Sequence, residues 1–231
     1  MTTITISRQA GSGGNAIAQR LCEILGYQAF DKRTLAQAAA QSGFLEQDVI
    51  DYSEENYKVR SFLERLFNRS APIATMRTWE EDTAGVLMAE DMRLSEEAAL
   101  RLVQKAIHTA HHAGKFVIMG RGGQVVLKDL TDVLHVRIEA PLEDRIQRVK
   151  EQRRKDRLSY DATIDFRREA QDWIMQRDEA SADYLKRFYN VDWADPMLYH
   201  VVLNTGKLSP EQAAQTIAHM VQVIRSQPEA V

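Results

Sequence analysis

The feature that most restricts the fold of this chain is a glycine cluster set between two apolar runs. Ile4-Thr5-Ile6-Ser7 is rich in β-branched residues, Arg8-Gln9-Ala10-Gly11-Ser12-Gly13-Gly14-Asn15 follows, and apolar residues resume at helical spacing as Ile17, Leu21, Ile24 and Leu25. This order reads as strand, tight loop and helix N-terminus. Glycines let the backbone approach an anion closely, and the free amides and dipole of a helix start supply about half a positive charge. Phosphate binding is the expectation for the loop.

Two phosphate-loop templates compete for these residues. In the Walker A pattern G-x-x-x-x-G-K-[ST], a lysine reaches the terminal phosphates and a hydroxyl holds magnesium. Counted from Gly13, this chain has Arg8 at the first glycine, Gly14 at the lysine and Asn15 at the hydroxyl. The dinucleotide fingerprint G-x-G-x-x-[GA] is met by Gly11, Gly13 and Ala16, with Asp31 at a suitable distance to take a ribose hydroxyl. The remaining reading is a glycine turn that only lets a helix pack on a strand.

Composition narrows the partners. A chain of 231 residues with 44% hydrophobic content can bury a full core as one domain carrying insertions. A net charge of −3 gives no general attraction to nucleic acid or membrane, so any polyanion site is local. Cys22 stands alone on the apolar face of the first helix and reads as a buried thiol. The start has no basic or long apolar leader and no segment reaches about 18 apolar residues, so a reducing cytoplasm is expected.

Further along, Gly26 ends the first helix and a short strand runs through Tyr27-Gln28-Ala29-Phe30, closed by Asp31, which caps a helix from Lys32 to about Ser42. Val49, Tyr52, Val59, Phe62, Leu63, Leu66 and Phe67 recur at helical intervals, and the whole of residues 44–94 is expected as a helical insertion. A long helix follows from Ser95 to Gly114, then buried strands at Phe116–Met119 and Val133–Ile138. A basic helix begins near Pro141, another helical stretch covers about Ala162 to Tyr189, and a last strand, Leu198–Leu203, precedes a capping box at Ser209-Pro210-Glu211-Gln212. Short strands separated by helices imply a parallel sheet covered on both faces, with ligands outside the carboxyl ends of the strands. Arg8 with the glycines, Asp31-Lys32-Arg33, Gly120-Arg121 and Asn204-Thr205-Gly206-Lys207 all lie there and should converge on one crevice. His108, His111 and His112 have no third ligand type near them in sequence and read as a solvated face, so no metal site is assigned to protein residues. Trp193 and Tyr189 read as anchors of the chain's return to the sheet.

The succession of motifs resembles the cytidylate kinase-like family. The resemblance rests on Ile4-x-Ile6-Ser7-Arg8-Gln9-x-Gly11-Ser12-Gly13-Gly14, a Phe30-Asp31-Lys32 step, Met119-Gly120-Arg121-Gly122-Gly123, and Pro141-Leu142-Glu143-Asp144-Arg145-Ile146. It continues in Tyr184-x-x-x-Phe188-Tyr189-x-x-Asp192-Trp193-x-Asp195-Pro196 and in Asn204-Thr205-Gly206-Lys207-Leu208. It implies an α/β, P-loop kinase-like three-layer fold with a parallel sheet, a helical monophosphate-binding insertion and a helical lid. Within a single domain, the core is assigned to residues 1–43, 95–150 and 196–226, the insertion to 44–94 and the lid to 151–195.

The resemblance further implies an ATP-dependent phosphotransferase using Mg2+, with a nucleoside monophosphate such as CMP or dCMP as acceptor. Gly11, Ser12, Gly13, Gly14 and Asn15, with Gly206, would hold the donor nucleotide; Asp31, Lys32, Arg33 and Arg121 would border the acceptor. Arg177 and Asp178 fall in the lid, with Arg177 meeting donor phosphates on closure. Arg8 is the cation placed to replace the missing lysine, because a guanidinium can grip phosphate bidentately from the strand end. Arg8, Arg121 and Arg177 are therefore the candidate catalytic residues. A nucleotide-binding regulator that closes without turnover and a nicotinamide-dependent oxidoreductase are the alternatives.

Overall fold

The computed structural model describes residues 2–30, 34, 74–81, 87–94, 96–156 and 166–225. In chain order the elements are β1 (Thr3–Arg8), α1 (Gly14–Leu25), β2 (Gln28–Ala29), β3 (Ala74–Glu81), β4 (Leu87–Leu94), α2 (Glu96–Ala113) and β5 (Phe116–Met119). They continue as α3 (Gly123–Val126), β6 (Val133–Glu139), α4 (Leu142–Asp156), α5 (Phe166–Tyr189), a 3-10 turn at Pro196–Leu198, β7 (Val201–Asn204) and α6 (Pro210–Arg225).

Five parallel strands form one sheet in the order β2, β5, β1, β6, β7. β1 is central. It pairs with β6 from Thr3↔Val133 to Arg8↔Ile138 and with β5 from Ile4↔Val117 to Ile6↔Met119. Because all strands run the same way, the loops after β1, β5, β6 and β7 share one edge, where doubly wound sheets bind ligands. The order also disposes of the dinucleotide reading. In a nicotinamide-binding unit the strand after the first helix lies beside the first strand, whereas here β5 stands between β2 and β1.

The two faces of β1 differ in chemistry. Ile4 and Ile6 point with Val136 and Ile138 into a core closed by Ile17 and Leu21 of α1 and Ala213, Ala214 and Ile217 of α6, and the four strand residues are fully buried. Burial of each isoleucine contributes about 1.5–3 kcal/mol, and Ile6→Ala would cost about 2–5 kcal/mol through the cavity it leaves. On the other side Val103, Ala106, Ile107 and Ala110 of α2 cover Phe116 and Ile118 of β5. Helix, sheet and helix layers follow, as the α/β three-layer expectation requires.

Helix ends follow their sequence signals. α1 starts after Gly13 (φ 85°) and stops at Gly26 (φ 65°), whose N–H donates to the Cys22 carbonyl. At α6 the capping box forms: Gln212 N donates to Ser209 Oγ at 3.2 Å, and Ser209 N to Gln212 Oε1 at 2.9 Å. Cys22 is half-buried, and burial raises its thiol pKa.

One expectation needs correction. Residues 74–81 and 87–94, assigned to a helical insertion, form the antiparallel ribbon β3–β4, with Ala74↔Leu94 and Glu81↔Leu87 at its ends. The helical stripe of Val49 to Phe67 does not continue there, and Thr75, Thr78 and Trp79 favour strands. The stripe itself, and the helix proposed from Lys32 to Ser42 apart from Thr34, lie outside the described residues.

Candidate active site

β1 delivers the chain to its glycine loop at the centre of the ligand edge. Gly11 (φ 77°) and Gly13 (φ 85°) adopt left-handed backbone that a side chain would strain. Gly13 caps α1 without any side-chain hydrogen bond. Among the described residues, the first helical bond is Ile17 N to Gly13 O at 3.2 Å, and the N–H groups of Gly13, Gly14, Asn15 and Ala16 donate to no backbone group. A Cβ on Gly13 would have nothing within 4 Å. Unbonded amides at the positive end of a 12-residue helix make an anion cradle.

Arg8 crosses this cradle. A Cβ built on Gly14 would lie 2.8 Å from Arg8 Cβ and 2.9 Å from its Cγ. The stem of Arg8 therefore fills the space beside the position where the Walker template has its lysine, and the glycine at 14 is a steric requirement of that packing. Ser12 is fully buried; its carbonyl accepts from Thr205 Oγ1 at 2.6 Å, and its hydroxyl has no partner among the described residues. The serine side chain is thus enclosed, and its N–H is also engaged, donating to Gln9 O at 3.1 Å.

The loops after β5 and β7 reach the same edge. Gly120 N donates to Ile6 O at 3.0 Å. Gly120, Arg121 and Gly122 all have left-handed backbone, and Arg121 at φ 58° is costly for a residue with a Cβ. Its guanidinium is buried, with Cζ 5.2 Å above the Phe30 ring. After β7, Gly206 N closes a turn on Asn204 Oδ1 at 2.8 Å. Here Arg148 of α4 donates to Thr205 O at 2.6 Å and to Thr205 Oγ1 at 3.1 Å. Three of the four expected segments therefore meet; Asp31, Lys32 and Arg33 lie outside the described residues.

Arg177 lies over Trp173, Cζ 4.4 Å from the ring centroid, and its neighbour Asp178 is the residue that reaches the loop. Asp178 Oδ1 accepts the Ala10 N–H at 2.7 Å, while Oδ2 pairs with Arg145 Nη1 at 2.5 Å. Burial raises the Asp178 pKa against the opposing pull of the Ala10 amide, Arg145 and Arg137. Sequence reasoning missed Arg145, Arg148 and Asp178 as loop-holding groups. Arg145 and Arg148 sit three apart on one helix face, yet nothing separates them by type from the other cations of α4.

Beneath the loop, the part of the second face contributed by β1 and β6 is polar. Arg137 donates from Nη1 to Trp193 O at 2.6 Å and from Nε to Glu139 Oε1 at 2.6 Å, and lies 4.4 Å over the Trp193 ring. Trp193 Nε1 donates to Ser7 Oγ at 2.8 Å, so Trp193 anchors the chain after α5 to β1 as expected. Lower down, His135 stacks on His200 at 5.1 Å and its Nδ1 meets Thr5 Oγ1 at 2.7 Å. Burial, then the neighbouring His200, push the His135 pKa down to about 4. Of the helical histidines, His111 faces Thr3 Oγ1 at 3.2 Å and Asp132 at 3.5 Å. No cluster of three His, Cys, Asp or Glu side chains fit for a metal occurs among the described residues. None of the described helices is long and apolar enough to cross a membrane.

Several known proteins are similar to this chain. A cytidylate kinase of Ignicoccus hospitalis is 30% identical over 143 residues, 62% of this chain and 76% of that protein. The crystal structure of an uncharacterized protein from Eubacterium ventriosum superposes with a TM-score of 0.60 at 17% identity, covering 98% of this chain and all of the other, a likeness of fold. A shikimate kinase from Acinetobacter baumannii aligns with a TM-score of 0.44 and 15% identity, over 98% of this chain and 96% of its own. The model of the cytidylate kinase-like family matches residues 3–207, from the first residue of β1 to the turn after β7, and the chain belongs to that family.

Proposed function

We propose that this protein is an ATP-dependent nucleoside monophosphate kinase of the cytoplasm, with CMP or dCMP as the first acceptors to test. The observation that carries the reading is the cradle of Gly13 to Ala16 amides with the Arg8 stem packed across Gly14. Phosphoryl transfer depends on positioning and on neutralising charge that develops on the transferred group. In this reading the loop amides orient the donor phosphates, and Arg8 supplies the cation that the template takes from position 14. The loop of Asn204 to Gly206 borders the donor nucleotide. Arg121, held over Phe30, faces the acceptor with Asp31, Lys32 and Arg33, and Arg177 leaves Trp173 to meet the donor on closure.

Magnesium, when bound to the donor, supplies charge neutralisation on its phosphate oxygens. The donor set on the protein is thin, since Asn15 stands at the hydroxyl position and no acidic cluster converges among the described residues. The ion therefore fits as part of the nucleotide complex, and the Asn15 amide oxygen, at the template's hydroxyl position, would be the loop side chain to hold it.

The test is a transfer assay with labelled ATP, magnesium and a panel of nucleoside monophosphates. Labelled diphosphate from CMP or dCMP is the expected result. ATP binding without transfer to any acceptor favours the nucleotide-binding regulator, which the glycine at position 14 supports; no ATP binding refutes both.

A further inference from the structure

We infer that Asp178 is a positioning residue for the donor loop, acting by gripping the Ala10 peptide together with Arg145. The inference rests on the donor-loop reading and adds to it a role for the helix expected as lid.

Ala10 is held on all sides. Its N–H donates to Asp178 Oδ1 at 2.7 Å, its carbonyl accepts from Arg145 Nη1 at 3.3 Å, and the two holding groups pair with each other at 2.5 Å. Its methyl packs with Ile146 and Val149 of α4 and Ala170 and Ile174 of α5. The turn that aims the amides of Gly13 to Ala16 starts at the next residue, Gly11, at φ 77°. A Cβ on Gly11 would touch Arg145 O at 3.0 Å, so α4 leaves this turn little slack. Rotation of the Ala10 peptide would therefore re-aim the amides that follow it.

Besides the loop's own bond from Ser12 N to Gln9 O and the first bond of α1, Ile17 N to Gly13 O, the loop is held from the sheet edge and α4. Gln9 N donates to Ile138 O at 3.0 Å, Ala140 N donates to Gln9 Oε1 at 3.2 Å, and Thr205 and Arg148 hold Ser12 and Gly11. From α5, Asp178 hydrogen-bonds the loop directly. Loop shape and α5 position are consequently linked through this carboxylate. A lone carboxylate beside a polyphosphate site would repel the ligand; the Arg145 guanidinium, 9% exposed, cancels that charge at contact distance. The pair thus supplies a strong acceptor to the Ala10 amide at no net charge.

Three substitutions separate the hydrogen bond from the ion pair. Asp178→Asn keeps an acceptor for Ala10 and loses the charge; Asp178→Glu keeps the charge and displaces the acceptor; Asp178→Ala removes both. Affinity for ATP by calorimetry and amide exchange at residues 10–16 are read beside the thermal midpoint. Losing a charge-assisted bond is worth about tenfold. Asp178→Ala and Asp178→Glu should weaken ATP about tenfold and speed loop exchange, while Asp178→Asn stays within about threefold despite a midpoint lowered by the lost ion pair. If Asp178→Ala does not fold, the contrast between Asn and Glu carries the test alone. Equal ATP affinity in Asn and Glu variants overturns the inference, because a structural ion pair would favour Glu and an idle residue would favour neither. Wild-type protein that fails to bind ATP refutes the donor-loop reading and this inference with it. Wild-type binding with unchanged Asp178→Glu binding refutes the inference alone.

Discussion

Putting the template's lysine back at position 14 should damage this protein unless Arg8 is removed at the same time. Gly14 opens α1 and is not among the left-handed glycines, so the backbone itself accepts a side chain there. The obstacle is Arg8, whose Cβ and Cγ would lie 2.8 and 2.9 Å from a Cβ at position 14. Carbon atoms settle at about 3.5–4.0 Å, and the nearer of the two, Cβ, moves only with β1. Overpacking of this kind costs about 1–3 kcal/mol, or about 2–4 °C in midpoint per kcal/mol for a chain of this size. Arg8→Gly relieves the overlap and restores the template's first glycine, but alone it deletes the cation proposed for transfer, with an expected loss of about 10²- to 10³-fold in turnover. The double variant Arg8→Gly/Gly14→Lys should therefore be more stable than Gly14→Lys and more active than either single variant. Turnover with CMP and ATP, with thermal midpoints for all four proteins, completes the cycle. Additive effects, or a Gly14→Lys protein as stable as wild type, would refute the idea that one cation has been exchanged for another across the loop.

Three further outcomes follow from the same geometry. Native His135 resists protonation until about pH 4 whereas the unfolded chain binds the proton near 6.5, so stability is complete above 6.5 and falls as pH drops toward 4. At about 1.4 kcal/mol per tenfold in proton affinity the loss totals about 3 kcal/mol, and urea titrations of His135→Gln should show that much less acid sensitivity. Arg121→Gly keeps the left-handed turn, trading about 1 kcal/mol of relieved strain for a cation–π contact of similar size; the midpoint should hold while CMP affinity drops, and unchanged CMP affinity would remove Arg121 from the acceptor site. Gly206→Ala puts a Cβ 2.5 Å from Pro141 Cδ and 2.7 Å from Asp144 Oδ2, and a midpoint within a degree of wild type would contradict the tight seam between the loops after β6 and β7.

What the sequence exposes is local. The strand, glycine and helix succession at residues 4–25, the capping box at Ser209 and Gln212, and the turn at Asn204 to Gly206 are legible because each is set by neighbours in the chain. The ribbon β3–β4 is not, because its short runs carry little alternation and the helical spacing of Val49 to Phe67 suggests one uniform segment. Asp178 is legible as a lid residue by resemblance, but its partner Ala10 lies 168 positions away. Arg145 looks like any cation of a basic helix until packing buries it. The same limit hides Ser12, whose hydroxyl matches a phosphate ligand by type and is fully buried.

The central place of β1 has a consequence for how the protein is made. Among the described residues, Thr3 to Arg8 pair as a strand with residues 117–119 and 133–138, so on the ribosome the strand waits for more than a hundred residues before either of these neighbours exists. At about 10 residues per second the wait is about ten seconds, long against the microseconds in which chains collapse. Throughout it, Thr3-Ile4-Thr5-Ile6 is a bare strand with two open edges and strong β propensity, the kind of segment that pairs with other chains. The residues that will aim the glycine loop are synthesised early and locked late, and the yield of active protein rests on what shields Ile4 and Ile6 in between.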